Sequence, residues 1–297
     1  MQELSPLIDA AELHRQLNDT ELRVVDCRFD LMDPEAGRQA WLNGHIPGSV
    51  YADLDRDLAG PVSPQSGRHP LPDAATACET FSRMGIDSDT NVVVYDAGNG
   101  GIAARAWWLL RWLGHARVAL LDGGLDTWQQ EGYALESGET KVERRTFTGI
   151  ANDELVITTA DIIASGDSIA DLNIVDARAA ARFRGEVEPI DPVAGHIPGT
   201  RNLPFTDALD ANNRWNSRQE LADWWARELG EQPEGGYSVM CGSGVTACHL
   251  VLSASLAGLS EPRVYVGSWS EWIRDPERSI ARGEQGLDAA QKAAEPA

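Results

Sequence analysis

The chain has 297 residues, 42% of them hydrophobic and 24% charged, with a formal net charge of −21 at pH 7. That is enough apolar material for two ordinary cores, whereas so acidic a surface repels nucleic acid and anionic membranes, and an anionic substrate has to be drawn by a local arginine cluster. Four cysteines at 27, 78, 241 and 248 form no dense framework, and neither a signal peptide nor a membrane span is readable, which points to reduced thiols in the cytoplasm.

Along the chain, the β-branched run "LRVVD" (22–26) predicts a strand, followed by a spacer and the turn "GHIPG" (44–48). A second run, "NVVVYD" (91–96), leads through the Gly-rich "AGNGG" into the helical pattern "IAARAWWLLRWLGH" (102–115), and "ARVALLD" (116–122) predicts the next strand. After a polar stretch, "LESGETKVERRTFTGIAND" (135–153), the same landmarks return in the same order. "IVDARAAARFRG" (174–185) and a second "GHIPG" (195–199) answer the first half, as do "YSVMCGSGVTACHLVLSASLAGL" (237–259) and "VYVGSWSEW" (264–272). The chain is therefore a duplication of a unit of roughly 130 residues. We expect domains at 1–140 and 156–285, a linker at 141–155 and a tail at 286–297. Strands alternating with helices predict an α/β fold in which each domain is a mainly parallel sheet with helices on both faces, binding ligands beyond the strand carboxyl ends.

Cys241 falls at such a strand end. It opens the tight loop "CGSGVT", in which Gly242 and Gly244 let the backbone curl and Ser243, Val245 and Thr246 lead into a helix. Inward amide N–H groups and the positive end of a helix dipole favour the thiolate, the nucleophilic form. Cys248, two helical turns on, reads as core. A metal centre is not expected, because no Cys-x2-Cys or His-Glu-x2-His spacing occurs. A cysteine phosphatase needs an arginine six residues after the nucleophile, and Ala247 stands there. A non-catalytic binding module would be expected to lose the cysteine.

The two "GHIPG" turns, "CGSGVTAC", "VDARAAARFRG", "VVVYDAGNGG" and "GSWSEW" together resemble the rhodanese superfamily of tandem-domain sulfurtransferases over roughly residues 20–280. The resemblance implies a silent first domain, with Asp96 standing where Cys241 stands in the second. It also implies sulfur transfer from a small anionic donor through a Cys241 persulfide to cyanide or a thiol, a thioredoxin-like reductant as partner, and no cofactor. Because the loop lacks basic residues, 3-mercaptopyruvate is the favoured donor and thiosulfate the alternative. Arg182 matches the position that grips the donor's anionic group, with Arg178 beside it as a further substrate-binding candidate and Arg184 near the surface. Family enzymes often carry a second substrate arginine a few residues on, but here Ile190 and Asp191 occupy that stretch. A Ser-His-Asp relay is also implied, read here as Ser243 with His45 and Asp33. His196, in the second "GHIPG", is expected to serve the turn.

Overall fold

Valine alternation determines how each sheet is covered. The computed structural model describes residues 5–283, so the expected tail at 286–297 lies outside the described residues. Strands β1 (Leu7–Ile8), β2 (Leu22–Asp26), β3 (Val50–Tyr51), β4 (Asn91–Tyr95) and β5 (Val118–Leu121) form a parallel sheet in the order β1-β5-β4-β2-β3. Strands β6 (Val156–Ile157), β7 (Ile174–Asp176), β8 (Arg201–Asn202), β9 (Ser238–Met240) and β10 (Arg263–Tyr265) repeat it as β6-β10-β9-β7-β8. In the first sheet Val24 and Val93 are paired and face the small core built on Leu13 and Trp128, whereas Val25, Val92 and Val94 face the opposite way. The second sheet does the same, with Ile174, Met240 and Tyr265 on one face and Val175, Val239 and Val264 on the other. Each domain is thus an α/β unit whose sheet is covered by helices.

The inner faces share one continuous core. Helices Ala103–Trp112 and Ala247–Ala257, which follow the Gly-rich loops of the two halves, pack against each other across the junction. Both are buried nearly all round, which explains their lack of a polar face. The loops preceding them are consequently brought close together, and with them the ends of β4 and β9. Residues 131–152, between the halves, contain no regular helix or strand. Phe147 nonetheless packs against Phe81, and Arg145 pairs with Glu21 and Asp87.

Candidate active site

Cys241 follows β9 directly and is 2% exposed. Its thiol accepts the Gly244 N–H at 3.2 Å, so the loop curls back onto the sulfur. Gly244 permits this through a φ of +78°; a Cβ there would lie 2.4 Å from the Val266 carbonyl oxygen. The neighbouring helix Ser268–Trp272 fastens the other side. Ser268 Oγ accepts from Cys241 N at 3.0 Å, while the N–H groups of Trp269 and Ser270 donate to the carbonyls of Cys241 and Gly242 at 3.1 and 2.8 Å. Cys248 is fully buried on the helix behind, where burial pushes its thiol up to about 12 and its Sγ donates to the Gly244 carbonyl.

The first domain supplies the rest. Gly67 passes so close to the Gly267 carbonyl that a Cβ would lie 2.6 Å from it, and Arg68 N donates to Ser270 Oγ at 3.0 Å. This docking carries His69 onto the Cys241 loop, with Nδ1 2.7 Å from Ser243 Oγ and Nε2 3.1 Å from Asp55 Oδ1. Burial, with Arg105 and Arg68 nearby, lowers the His69 pKa to about 3, so the ring is neutral at pH 7. The contact with Asp55 assigns its proton to Nε2 and leaves Nδ1 to accept from the Ser243 hydroxyl. Arg105, wholly buried on the first-domain helix, donates to the carbonyls of Gly244, His69 and Leu58 and so ties loop, histidine and spacer together.

These contacts correct three expectations. His45 is fully buried elsewhere, with Nδ1 2.7 Å from the Trp41 carbonyl oxygen and Nε2 3.1 Å from Thr140 Oγ1, its ring stacked on Trp41. His196 does the same in the second half, bonding the Phe183 carbonyl at 2.8 Å and stacking on Phe183. The duplicated histidine therefore anchors each turn to the preceding helix. Asp33 is exposed in a loop where its carbonyl caps Ala36 N, so it does not partner a histidine. Arg178 is 2% exposed and committed to Asp176, to the Gly195 carbonyl at 2.8 Å and to the face of Trp269. It holds up the wall of the site, its side-chain nitrogens taken by these partners and by Glu188. Sequence reasoning missed His69, Asp55, Arg68 and Arg105. One signal was available: His69 sits in "SGRHPLP", a stretch the second half does not repeat.

Arg182 does face the loop. A Cβ on Gly242 would lie 3.6 and 3.7 Å from its two terminal nitrogens. Glu188 holds Arg182 through Nε and Nη2, and Asp191 Oδ2 accepts from the same Nη2 at 3.2 Å. Burial pushes the Glu188 carboxyl upward, but Arg182 and the N–H groups of Asp191 and Ile190 more than offset it and keep the group below its ordinary value. Asp191 moves the other way, raised by burial and by Glu188 against the pull of Arg68 and Arg182. Arg184 pairs with Glu186 near the surface.

In the first domain, Asp96 occupies the start of the equivalent loop. Its buried carboxylate accepts from the N–H groups of Gly98, Gly100, Ile102 and Ala103 at 2.9–3.1 Å. The loop is built to surround an anion, and in this half it holds its own.

Two α/β domains of this topology, one with a cysteine in the anion-binding loop and one without, define a tandem sulfurtransferase architecture. The rhodanese-like domain family matches residues 9–131 and 159–275. The chain belongs to that family and is a sulfurtransferase enzyme. It is 47% identical over 280 residues, 94% of this chain and 98% of the relative, to a Pseudomonas aeruginosa protein named "Probable 3-mercaptopyruvate sulfurtransferase". It is 35% identical to the 3-mercaptopyruvate sulfurtransferase of Escherichia coli, over 89% of this chain and 94% of that one. Among solved structures, the Escherichia coli 3-mercaptopyruvate sulfotransferase superposes with a TM-score of 0.78 at 32% identity, covering 90% of this chain and all of that one. Among the described residues no helix is long and apolar enough to cross a membrane.

Proposed function

We propose that the protein transfers sulfur from 3-mercaptopyruvate through a persulfide on Cys241. The observation that carries this reading is the 2.7 Å contact between Ser243 and the neutral His69, inside the loop that begins with Cys241. The Cys241 thiolate attacks the donor sulfur, its electron pair forms the S–S bond, and the C–S bond breaks with its electrons on carbon. Pyruvate leaves as its enolate, while the terminal S–H of the new persulfide is more acidic than the donor thiol. Ser243 takes that proton while passing its own to His69 Nδ1, and Asp55 stabilises the imidazolium. The proton then returns to the enolate carbon. Thiosulfate releases sulfite, which needs no such shuttle, so a buried hydroxyl–imidazole pair backed by the exposed Asp55 carboxylate supports a keto donor.

An acceptor thiolate or cyanide then attacks the outer sulfur and restores the Cys241 thiolate. A thioredoxin-like dithiol fits this step, and four free cysteines fit a reducing cytoplasm. Measuring kcat/KM with both donors, alongside intact mass, tests the reading. Mercaptopyruvate should lead and add one sulfur to Cys241. A protein that prefers thiosulfate and is indifferent to His69→Ala would refute it.

A further inference from the structure

We infer that Arg68, from the first domain, is the second half of a two-arginine clamp for the donor's carboxylate. The inference rests on the sulfurtransferase reading above and names a contact that reading lacks. The same point beside Gly242, one residue past the nucleophile, is faced by Arg182 and by Arg68, whose Nη2 would lie 3.0 Å from a Cβ there. Asp191 sits behind both, accepting from Arg68 Nη1 with one oxygen and from Arg182 Nη2 with the other. One buried carboxylate thus sets the spacing of the two guanidinium groups from the rear. Among the described residues, Arg182 Nη1 and Arg68 Nη2 make no hydrogen bond to protein, and Arg68 Nε is buried without a partner. The two terminal nitrogens that face Gly242, Arg68 Nη2 and Arg182 Nη1, remain for a ligand.

The position also suits the donor's chemistry. A 2-keto acid carries its carboxylate and carbonyl on adjacent carbons, and here adjacent residues address them: Arg68 the carboxylate, His69 through Ser243 the carbonyl end. Two arginines against Glu188 and Asp191 leave the clamp close to neutral. Such a clamp recognises a carboxylate by directed hydrogen bonds and offers little extra attraction to a dianion. Arg68 therefore supplies the grip that Ile190 and Asp191 do not.

The test uses full-length protein with two donors, 3-mercaptopyruvate and mercaptoacetone, which has the thiol and ketone but no carboxylate. Initial rates and the mass gain on Cys241 are followed for wild type, Arg68→Ala and Arg68→Gln. Either variant should lower kcat/KM for mercaptopyruvate roughly tenfold or more, mainly through KM, and lower it several-fold less for mercaptoacetone, which shares the relay but has no carboxylate to grip. The Gln variant retains side-chain length if the Ala variant folds poorly. Unchanged mercaptopyruvate kinetics, or an equal loss with both donors, would overturn the assignment of Arg68. A wild type that gains no sulfur from either donor would instead overturn the reading beneath it.

Discussion

At the scale of single residues, the two cysteines near the loop are separated by environment. Cys241 ends a strand inside a curled loop, whereas Cys248 is sealed in a helix with its thiol pushed up to about 12. Cys241→Ser should abolish persulfide formation with the fold intact, and Cys248→Ser should keep most activity; intact mass and turnover read both. The histidines divide in the same way. His69→Ala should lower kcat with mercaptopyruvate by roughly 10²–10⁴-fold, the usual worth of a proton-transferring group. His45→Ala should leave kcat near wild type and lower the denaturation midpoint, because it removes a buried stack and two hydrogen bonds. A reversed pattern would return the relay to His45. Arg182→Ala should raise the mercaptopyruvate KM roughly tenfold to a hundredfold, as expected for a charge-assisted contact worth about 1.5–3 kcal/mol. The cysteine loop and Arg182 were legible because strand, glycines and helix agree locally. The histidine was misread because the resemblance calls for a first-domain histidine and His45 was taken for it, yet a residue present at matching positions in both halves serves what the halves share. The loop cysteine is present in one half only, and the histidine that meets its loop, His69, comes from a stretch of the other half that is not repeated.

At the scale of elements, the Cys241 loop depends on neighbours far away in sequence. Gly244 combines a left-handed φ with close approach to the Val266 carbonyl. Gly244→Ala should destabilise the protein by roughly 2 kcal/mol or more in urea titration and slow sulfur uptake, since the amide that faces Cys241 must move. A variant as stable and fast as wild type would show that the loop tolerates another path. The longer strands and the two buried helices were readable from hydrophobic period, and the duplication from the recurring landmarks; the strand order within each sheet was not. The segment from Asp55 to Pro70 was not, for a physical reason. It has no periodic face, and its structure comes from what it touches: Arg105 from below, Ser270 and Ser243 from the other domain. Such a stretch has little local code to read.

At the scale of the whole molecule, buried imidazoles tie stability to pH. His69 and His249 both have pKa values lowered to about 3 by burial, the latter stacked on Trp215 with no exposure. Unfolding restores them to about 6.5, so below that pH the unfolded chain binds protons that the folded chain refuses. Stability is then lost as pH falls, by roughly 2 kcal/mol per imidazole at pH 5. Asp57, Asp96 and Asp191, raised by burial, act in the opposite sense. The urea midpoint should drop between pH 7 and 5, and His249→Gln should flatten that slope; a midpoint constant over this range would contradict the assignment. The docking of the segment around Arg68 and His69 onto the second domain makes the two halves inseparable in function under the proposed relay. Once one copy of a duplicated unit supplies the proton shuttle for the other, a shortened chain retaining only the cysteine-bearing copy keeps a nucleophile without the groups that serve it. On the proposed relay, tandem order is thereby locked in: the half without a loop cysteine is the one the other half cannot do without.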